Sequence, residues 1–142
     1  MLLLSLLLPV LALATTKQCV VEHTNNADDT PSIAKAFASC SKNAEIVFSK
    51  QYTYNAYTPI SLTNLSHVTI RVEGNINLPN NISYVQHAIN ISSNLPSSYA
   101  TPWFYFAGDH VSLIGSTNPS KGWINGFGYA FFHSFPLILS NY

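Results

Sequence analysis

Six acidic side chains and five histidines are what this sequence offers for acid–base or metal chemistry. Glu73 and Asp109 could be argued as a proton donor and a base. Each sits beside a glycine, Gly74 and Gly108, and carboxylates in polar turns are ordinary. Asp28-Asp29 stands immediately before Thr30-Pro31, where acidic residues favour the positive end of a helix dipole. The histidines are His23, His67, His87, His110 and His133. Their linear spacing sets no two of them around a metal and none beside a nucleophile. His67 and His110 read as corner residues, each leading into a short apolar run. Asp109-His110 offers a hydrogen-bonded pair with no nucleophile next to it. No catalytic residue, no metal ligand and no cofactor is therefore expected.

The aromatic side chains are the other candidates. Trp103, Tyr105, Trp123 and Tyr129 have faces that could stack on sugar rings, with Phe127 nearby. The competing role for such residues is packing in a β-rich core.

Composition limits the partners. Only 8% of residues are charged, against about 25% in an average soluble domain. The formal net charge is +0. That excludes the basic footprint of a nucleic-acid binder and a polybasic membrane patch. Met1 to Ala14 reads MLLLSLLLPVLALA and ends on a small-x-small site, Ala12-Leu-Ala14. It is shorter than the roughly 20 apolar residues needed to span a bilayer. It reads as a cleaved signal peptide rather than a retained anchor, although no Lys or Arg precedes the apolar run. The expected location is extracellular, with no membrane association after cleavage.

Two cysteines remain, Cys19 and Cys40. An even count in an oxidising compartment points to one disulfide, with two free thiols as the alternative. Three acceptor sequences for N-glycosylation follow, at Asn64, Asn81 and Asn90.

The elements that must position these residues are short. Thr30 suits a helix N-cap, and Pro31 the first helical position. Ile33, Phe37 and Cys40 then share a helical face, and Asn43 is a suitable stop. Beyond it come brief apolar runs: 46–48, 60–62, 68–72, 76–78, 103–106, 111–114 and 123–124. In Val68-Thr-Ile-Arg-Val72 the alternation sends Val68, Ile70 and Val72 inward. Residues 79–101 are rich in Asn, Ser and Pro and read as a long surface loop. Leu62–Ile70 and Phe106–Leu113 look alike, with His67 and His110 lying 43 residues apart. Short strands recurring with polar corners are the mark of a parallel β-helix. A β-sandwich is the competing architecture.

Cys19-Val-Val, followed by Ala27-Asp-Asp-Thr-Pro-Ser-Ile-Ala-Lys-Ala-Phe-Ala-Ser-Cys40, resembles the N-terminal cap of fungal exopolygalacturonases and their rhamnogalacturonase relatives. Ile46-Val-Phe48, Tyr52-Thr-Tyr54, Leu65-Ser-His-Val-Thr-Ile70 and Val72-Glu-Gly74 are similar to that family's first rungs. Trp103-Phe-Tyr-Phe106 and Trp123-Ile-Asn-Gly-Phe-Gly128 are similar to the stretch leading to its Gly-rich turn. The resemblance implies an all-β chain: a right-handed parallel β-helix, incomplete, with an N-terminal cap helix and its first rungs. It divides the chain into a signal peptide (1–14), a cap with helix and disulfide (15–45), first rungs (46–132) and an aberrant apolar tail (133–142).

The family hydrolyses α-1,4-galacturonosyl bonds of pectin with inversion. That reaction needs a carboxylic acid to protonate the leaving oxygen and a carboxylate to activate water. The Asn-Thr-Asp, Asp-Asp, Gly-His-Gly and Arg-x-Lys segments that supply these groups lie on the family's middle rungs and have no counterpart here. The Asp28-Asp29 pair precedes a helix, Gly126-Phe-Gly128 lacks the imidazole, and Arg71-Val-Glu73 lacks the lysine. Where the family continues Gln-Ala-Trp-Trp-Asp, this sequence has Tyr129-Ala-Phe-Phe-His133. The expectation is a piece of a pectin hydrolase, inactive alone, with pectic polysaccharide as the family's partner. An uncapped solenoid end also implies self-association. The alternatives are a non-catalytic carbohydrate-binding or cell-wall protein, and a small secreted interaction protein.

Overall fold

The computed structural model describes residues 16–25, 28–91 and 102–129. The signal peptide expected over 1–14, the tail over 133–142 and the side chain of Asn90 lie outside the described residues. So does His133.

The chain opens with β1 (Lys17–Val20) and α1 (Thr30–Ser39). Strands β2 (Lys42–Phe48), β3 (Thr53–Asn55), β4 (Ile60–Val72) and β5 (Asn75–Asn77) follow. Then come α2 (Ile82–Ile91), β6 (Phe104–Gly115) and β7 (Ile124–Asn125). The strands form two sheets, β1-β2-β4-β6 and β3-β5-β7. From β2 onward the chain alternates between them. Every pairing is parallel, which an antiparallel sandwich does not provide.

Register stacks like on like. Ala44, Ile46 and Phe48 pair with Val68, Ile70 and Val72, and all six are buried. The alternating 68–72 run thus faces the core as expected. In the smaller sheet Tyr54 pairs with Ile76, and Ile76 with Ile124. The neighbouring column is Asn55, Asn77 and Asn125. Asparagines superposed at the strand spacing of about 4.8 Å are placed to bond one another along the stack. A single core, from Val21 through Phe37, Ile46 and Tyr54 to Ile76, lies between the sheets and α1.

Burial depends on being covered by the next layer. Ile46 and Ile70 are 0% and 1% exposed, whereas Leu113, in the same column on β6, is 59% exposed. No described strand pairs with the far edge of β6 or β7.

Several expectations are corrected. Helix α1 begins at Thr30 with Asp29 in the N-cap position, and no side chain caps it. Thr30 instead gives its amide and hydroxyl to Asp28 Oδ1, at 3.0 and 2.6 Å. The helix ends at Ser39, one turn before Asn43, which is the second residue of β2 and has a left-handed φ of 46°. The runs 60–62 and 68–72 are one continuous strand, as are 104–106 and 111–114, with Trp103 just ahead of β6. Left-handed residues inside them, Asn64, His67 and His110, bend the strand without ending it. Within the expected loop over 79–101 lies α2. The Asn81 carboxamide accepts from the Tyr84 amide at 2.9 Å, three residues on, as an N-cap does.

Cys19 and Cys40 are joined, with Cα atoms 6.2 Å apart. The bond ties the end of α1 to β1 across 21 residues. Reduction is expected to lower unfolding free energy by about 3 kcal/mol in the chain-entropy view. Urea melts with and without reductant check this, and coincident curves would refute it.

Candidate functional site

The acids decide what chemistry the described residues can do. All six have a structural partner. Glu22 pairs with Lys35 at 3.1 Å on the surface. Asp28 Oδ1 also accepts the Tyr57 amide at 3.0 Å, and its Oδ2 the Thr58 hydroxyl at 3.3 Å. Glu45 accepts from Gln18 at 2.9 Å and from Arg71 at 2.7 Å. Those side-chain bonds, Gln18 first, hold its carboxyl below the usual range. Glu73 lies 3.8 Å from Arg71, and Asp109 lies 2.8 Å from His110 Nδ1.

Asp29 is the most constrained. Its side chain has no exposed surface. Oδ1 accepts the Thr24 amide at 2.7 Å and the Thr24 hydroxyl at 2.9 Å. Oδ2 accepts the Asn55 amide at 2.8 Å and lies 3.1 Å from His23 Nδ1. Burial alone would raise its pKa. The bonds from Thr24, Asn55 and His23 outweigh that and leave it below the ordinary value. Its own amide returns a bond to the Asn55 carbonyl at 2.8 Å. Beside it, the buried Tyr54 hydroxyl accepts from the Ser49 amide and donates to the Val21 carbonyl. Burial pushes the Tyr54 pKa up, so it remains a donor. Both groups join the segment after β1 to the turn around β3.

Glu73 and Asp109 are not an acid–base pair. Asp109 stands opposite Ser66 on β4, and Glu73 lies seven positions further along, about 20 Å away. Asp28-Asp29 was expected to favour its helix electrostatically. Both carboxylates do hold the cap: Asp28 accepts the Thr30 amide at the start of α1, and the two together bond the chain on either side of the helix.

The aromatic candidates are split. Trp103 is half-buried and its indole donates to the Ala56 carbonyl at 2.9 Å. Tyr105 is partly exposed on β6, while its neighbours Phe104 and Phe106 pack on the core. Trp123 is exposed, although its indole N–H bonds the Pro119 carbonyl. Tyr129 is exposed as well. An open cleft of about 440 Å³ lies nearby, bordered by Asp28, Tyr57, Asn77, Tyr84 and Phe127. A second, of about 530 Å³, runs beside Asn75, Trp123 and Asn125. Tyr57 and Tyr84 carried no signal in the sequence, because neither falls in a motif. Asn64 and Asn81 are exposed.

One grouping escaped the linear reading. Ser66 pairs with Asp109 and Val68 with Val111, so His67 and His110 share a register position. Their rings stack with centroids 4.6 Å apart and planes 7° from parallel. One layer earlier, Asn43 occupies the same column, since Lys42 and Ala44 pair with Ser66 and Val68. All three have φ between 46° and 53°.

Alternating parallel strands behind a disulfide-tied helix, with Asp28, Asp29 and Glu45 engaged in holding the fold, define a layered parallel-β scaffold. The chain is 38% identical over 134 residues to a probable exopolygalacturonase C of Aspergillus fumigatus, covering 91% of this chain and 29% of that protein. A probable exopolygalacturonase C of Aspergillus terreus is 42% identical over 135 residues, 94% of this chain and 30% of the relative. An exopolygalacturonase of Rhizopus delemar is 43% identical over 70 residues, 49% of this chain and 18% of its own length. By sequence the chain is similar over about nine tenths of its length to fungal exopolygalacturonases. It spans about 29% of the length of the Aspergillus fumigatus relative. No family model matches, and no solved structure matches.

Proposed function

We propose that this chain forms the N-terminal cap and first rungs of a right-handed parallel β-helix of the polygalacturonase type. In this reading residues 15–45 are the cap and residues 46–132 the rungs. The protein is secreted, cleaved after Ala14, glycosylated at some of Asn64, Asn81 and Asn90, and directed at pectic polysaccharide. The segment builds and closes the solenoid; it does not cleave. The observation that carries this is that Asp28, Asp29 and Glu45 are engaged in contacts that hold the fold, while the remaining acids form no close carboxyl pair. Inverting hydrolysis needs two carboxyl groups about 6.5–9.5 Å apart with water between them. Glu73 and Asp109, the two acids outside the cap and the Glu45 bridge, stand about 20 Å apart, since Asp109 pairs with Ser66 and Glu73 lies seven positions beyond it.

The purified chain is expected to release no reducing sugar from polygalacturonate. On a sizing column it should run as more than a monomer, because the apolar column ending in Leu113 and the edges of β6 and β7 lack described partners. Turnover that survives purification and disappears on Glu73→Gln or Asp109→Asn would overturn the non-catalytic reading.

A second reading has its own support. Exposed Trp123 and Tyr129 and the cleft bordered by Tyr57 and Tyr84 suit a carbohydrate-binding surface. A monodisperse monomer that retains oligogalacturonides, and releases them on Trp123→Ala, would favour it.

A further inference from the structure

We propose that His67, Asp109 and His110 form a surface binding site for a borderline divalent cation such as Zn2+. The two imidazoles supply nitrogen ligands and Asp109 the anionic partner. This goes beyond the pectin reading and does not depend on it.

The three residues come from two strands. One candidate ligand atom from each lies within 4.8 Å of the others. The β4–β6 ladder sets the histidines opposite each other, and a left-handed φ at both gives them the same local backbone. Their rings are stacked and nearly parallel. The site is therefore assembled by the strongest feature of the fold, its register, rather than by a loop.

The ring tautomers follow from the partners. An ionised Asp109 can only accept, so His110 Nδ1, at 2.8 Å, carries the hydrogen and Nε2 keeps its lone pair. Ser66 Oγ lies 3.1 Å from His67 Nδ1 and can accept from it in the same way, leaving its Nε2 available. A carboxylate behind a ligating histidine fixes ring orientation and raises ligand basicity.

Imidazole nitrogen is a donor that zinc takes, at about 2.0–2.1 Å, with Asp109 held behind the His110 ring. Two ligands on a tetrahedral ion are then about 3.4 Å apart. All three side chains are exposed, with Asp109 and His110 at 69% and 70%. Their rings can therefore turn out of the stack, so that both Nε2 atoms converge, without disturbing the core. Water completes the coordination.

Asparagine makes a fair test substitution. Asn43 already holds the same column position with the same left-handed φ, so asparagine at 67 or 110 keeps the backbone. The metal-stripped full chain should be titrated with Zn2+ by calorimetry while histidine ring signals are followed by NMR. One ion per chain is expected, with the His67 and His110 signals moving together. His67→Asn and His110→Asn should each weaken binding at least about tenfold, and Asp109→Asn roughly 10–100-fold. His87→Ala on α2 should change nothing, and circular dichroism should show each variant folded. Zn2+ binding that persists in the folded His67→Asn/His110→Asn double variant would overturn the proposal. So would the absence of binding heat and of ring-signal shifts in the unsubstituted chain.

Discussion

Replacing Asp29 with alanine is expected to lower the unfolding free energy by about 3–5 kcal/mol. The carboxylate is fully buried and collects four bonds, from the Thr24 amide and hydroxyl, the Asn55 amide and His23. Alanine leaves those donors facing a void. Each buried donor without an acceptor costs roughly 1–3 kcal/mol, and water that enters recovers part of it. Asparagine should rescue poorly. It keeps an acceptor toward Thr24 but turns its own N–H2 toward the Asn55 amide, setting donor against donor.

The acid dependence gives the same residue a second signature. The folded-state pKa of Asp29 is below its unfolded value, so the unfolded chain takes up the proton first as pH falls. Its stabilisation is whole above about pH 4, the ordinary aspartate value, and is lost as pH drops through the lower folded value. Glu45, also depressed, acts in the same direction. Urea melts of the unsubstituted chain and Asp29→Asn between pH 2 and 7 should converge at the acid end. Parallel curves across that range, or a loss below about 1 kcal/mol at neutral pH, would show that Asp29 is not the hub described.

The second large effect is at Gly108. A Cβ built there would lie 2.0 Å from the Leu65 carbonyl oxygen and 2.8 Å from its amide nitrogen. Leu65 is the residue opposite on β4, where the ladder shifts register between Leu62 and Leu65. The obstacle is backbone, which cannot rotate aside as a side chain can. Gly108→Ala should therefore push β6 off β4 at this point. The expected loss is about 4 kcal/mol or more, above the usual overpacking range. Gly115, whose Cβ would meet nothing within 4 Å, is the control, and Gly115→Ala on the same strand should be far milder. Equal melting curves for the two variants would refute the close approach of β6 to β4.

Much of the scaffold was legible because it rests on local pattern. The 68–72 alternation placed Val68, Ile70 and Val72 correctly, and the matching His-Val-Thr/Ser-Ile/Leu segments do fall in register. Cys19 and Cys40 were paired by count and compartment. What failed has a common cause. His67, His110 and Asn64 look like turn residues and indeed adopt turn-like φ values, but as single bends inside continuous strands. Asp29 looks like a helix cap because its sequence neighbours are a threonine and a proline. Its real partners, Thr24 and Asn55, are set by tertiary folding. Helix α2 was hidden by asparagine and serine, whose local bonding favours turns unless a cap such as Asn81 directs them. The His67–Asp109–His110 cluster could not be seen at all without register, since 43 residues separate its two rings.

The pairing of β4 with β6 also frees the stretch between them from any fixed length. Ten residue pairs hold the two strands together, and the Trp103 carbonyl accepts the Ile60 amide at the near end. None of those contacts measures the excursion from Leu78 to Trp103. Closing a flexible connection twice as long costs only about 0.6 kcal/mol more. Insertions and deletions there should accordingly leave the stack unaltered, whereas one residue added within β4 would turn every later side chain of that strand to the opposite face. A change of chain length therefore has a permissive address, next to the Tyr84 edge of the cleft, where it alters what the surface can meet without altering what holds it up.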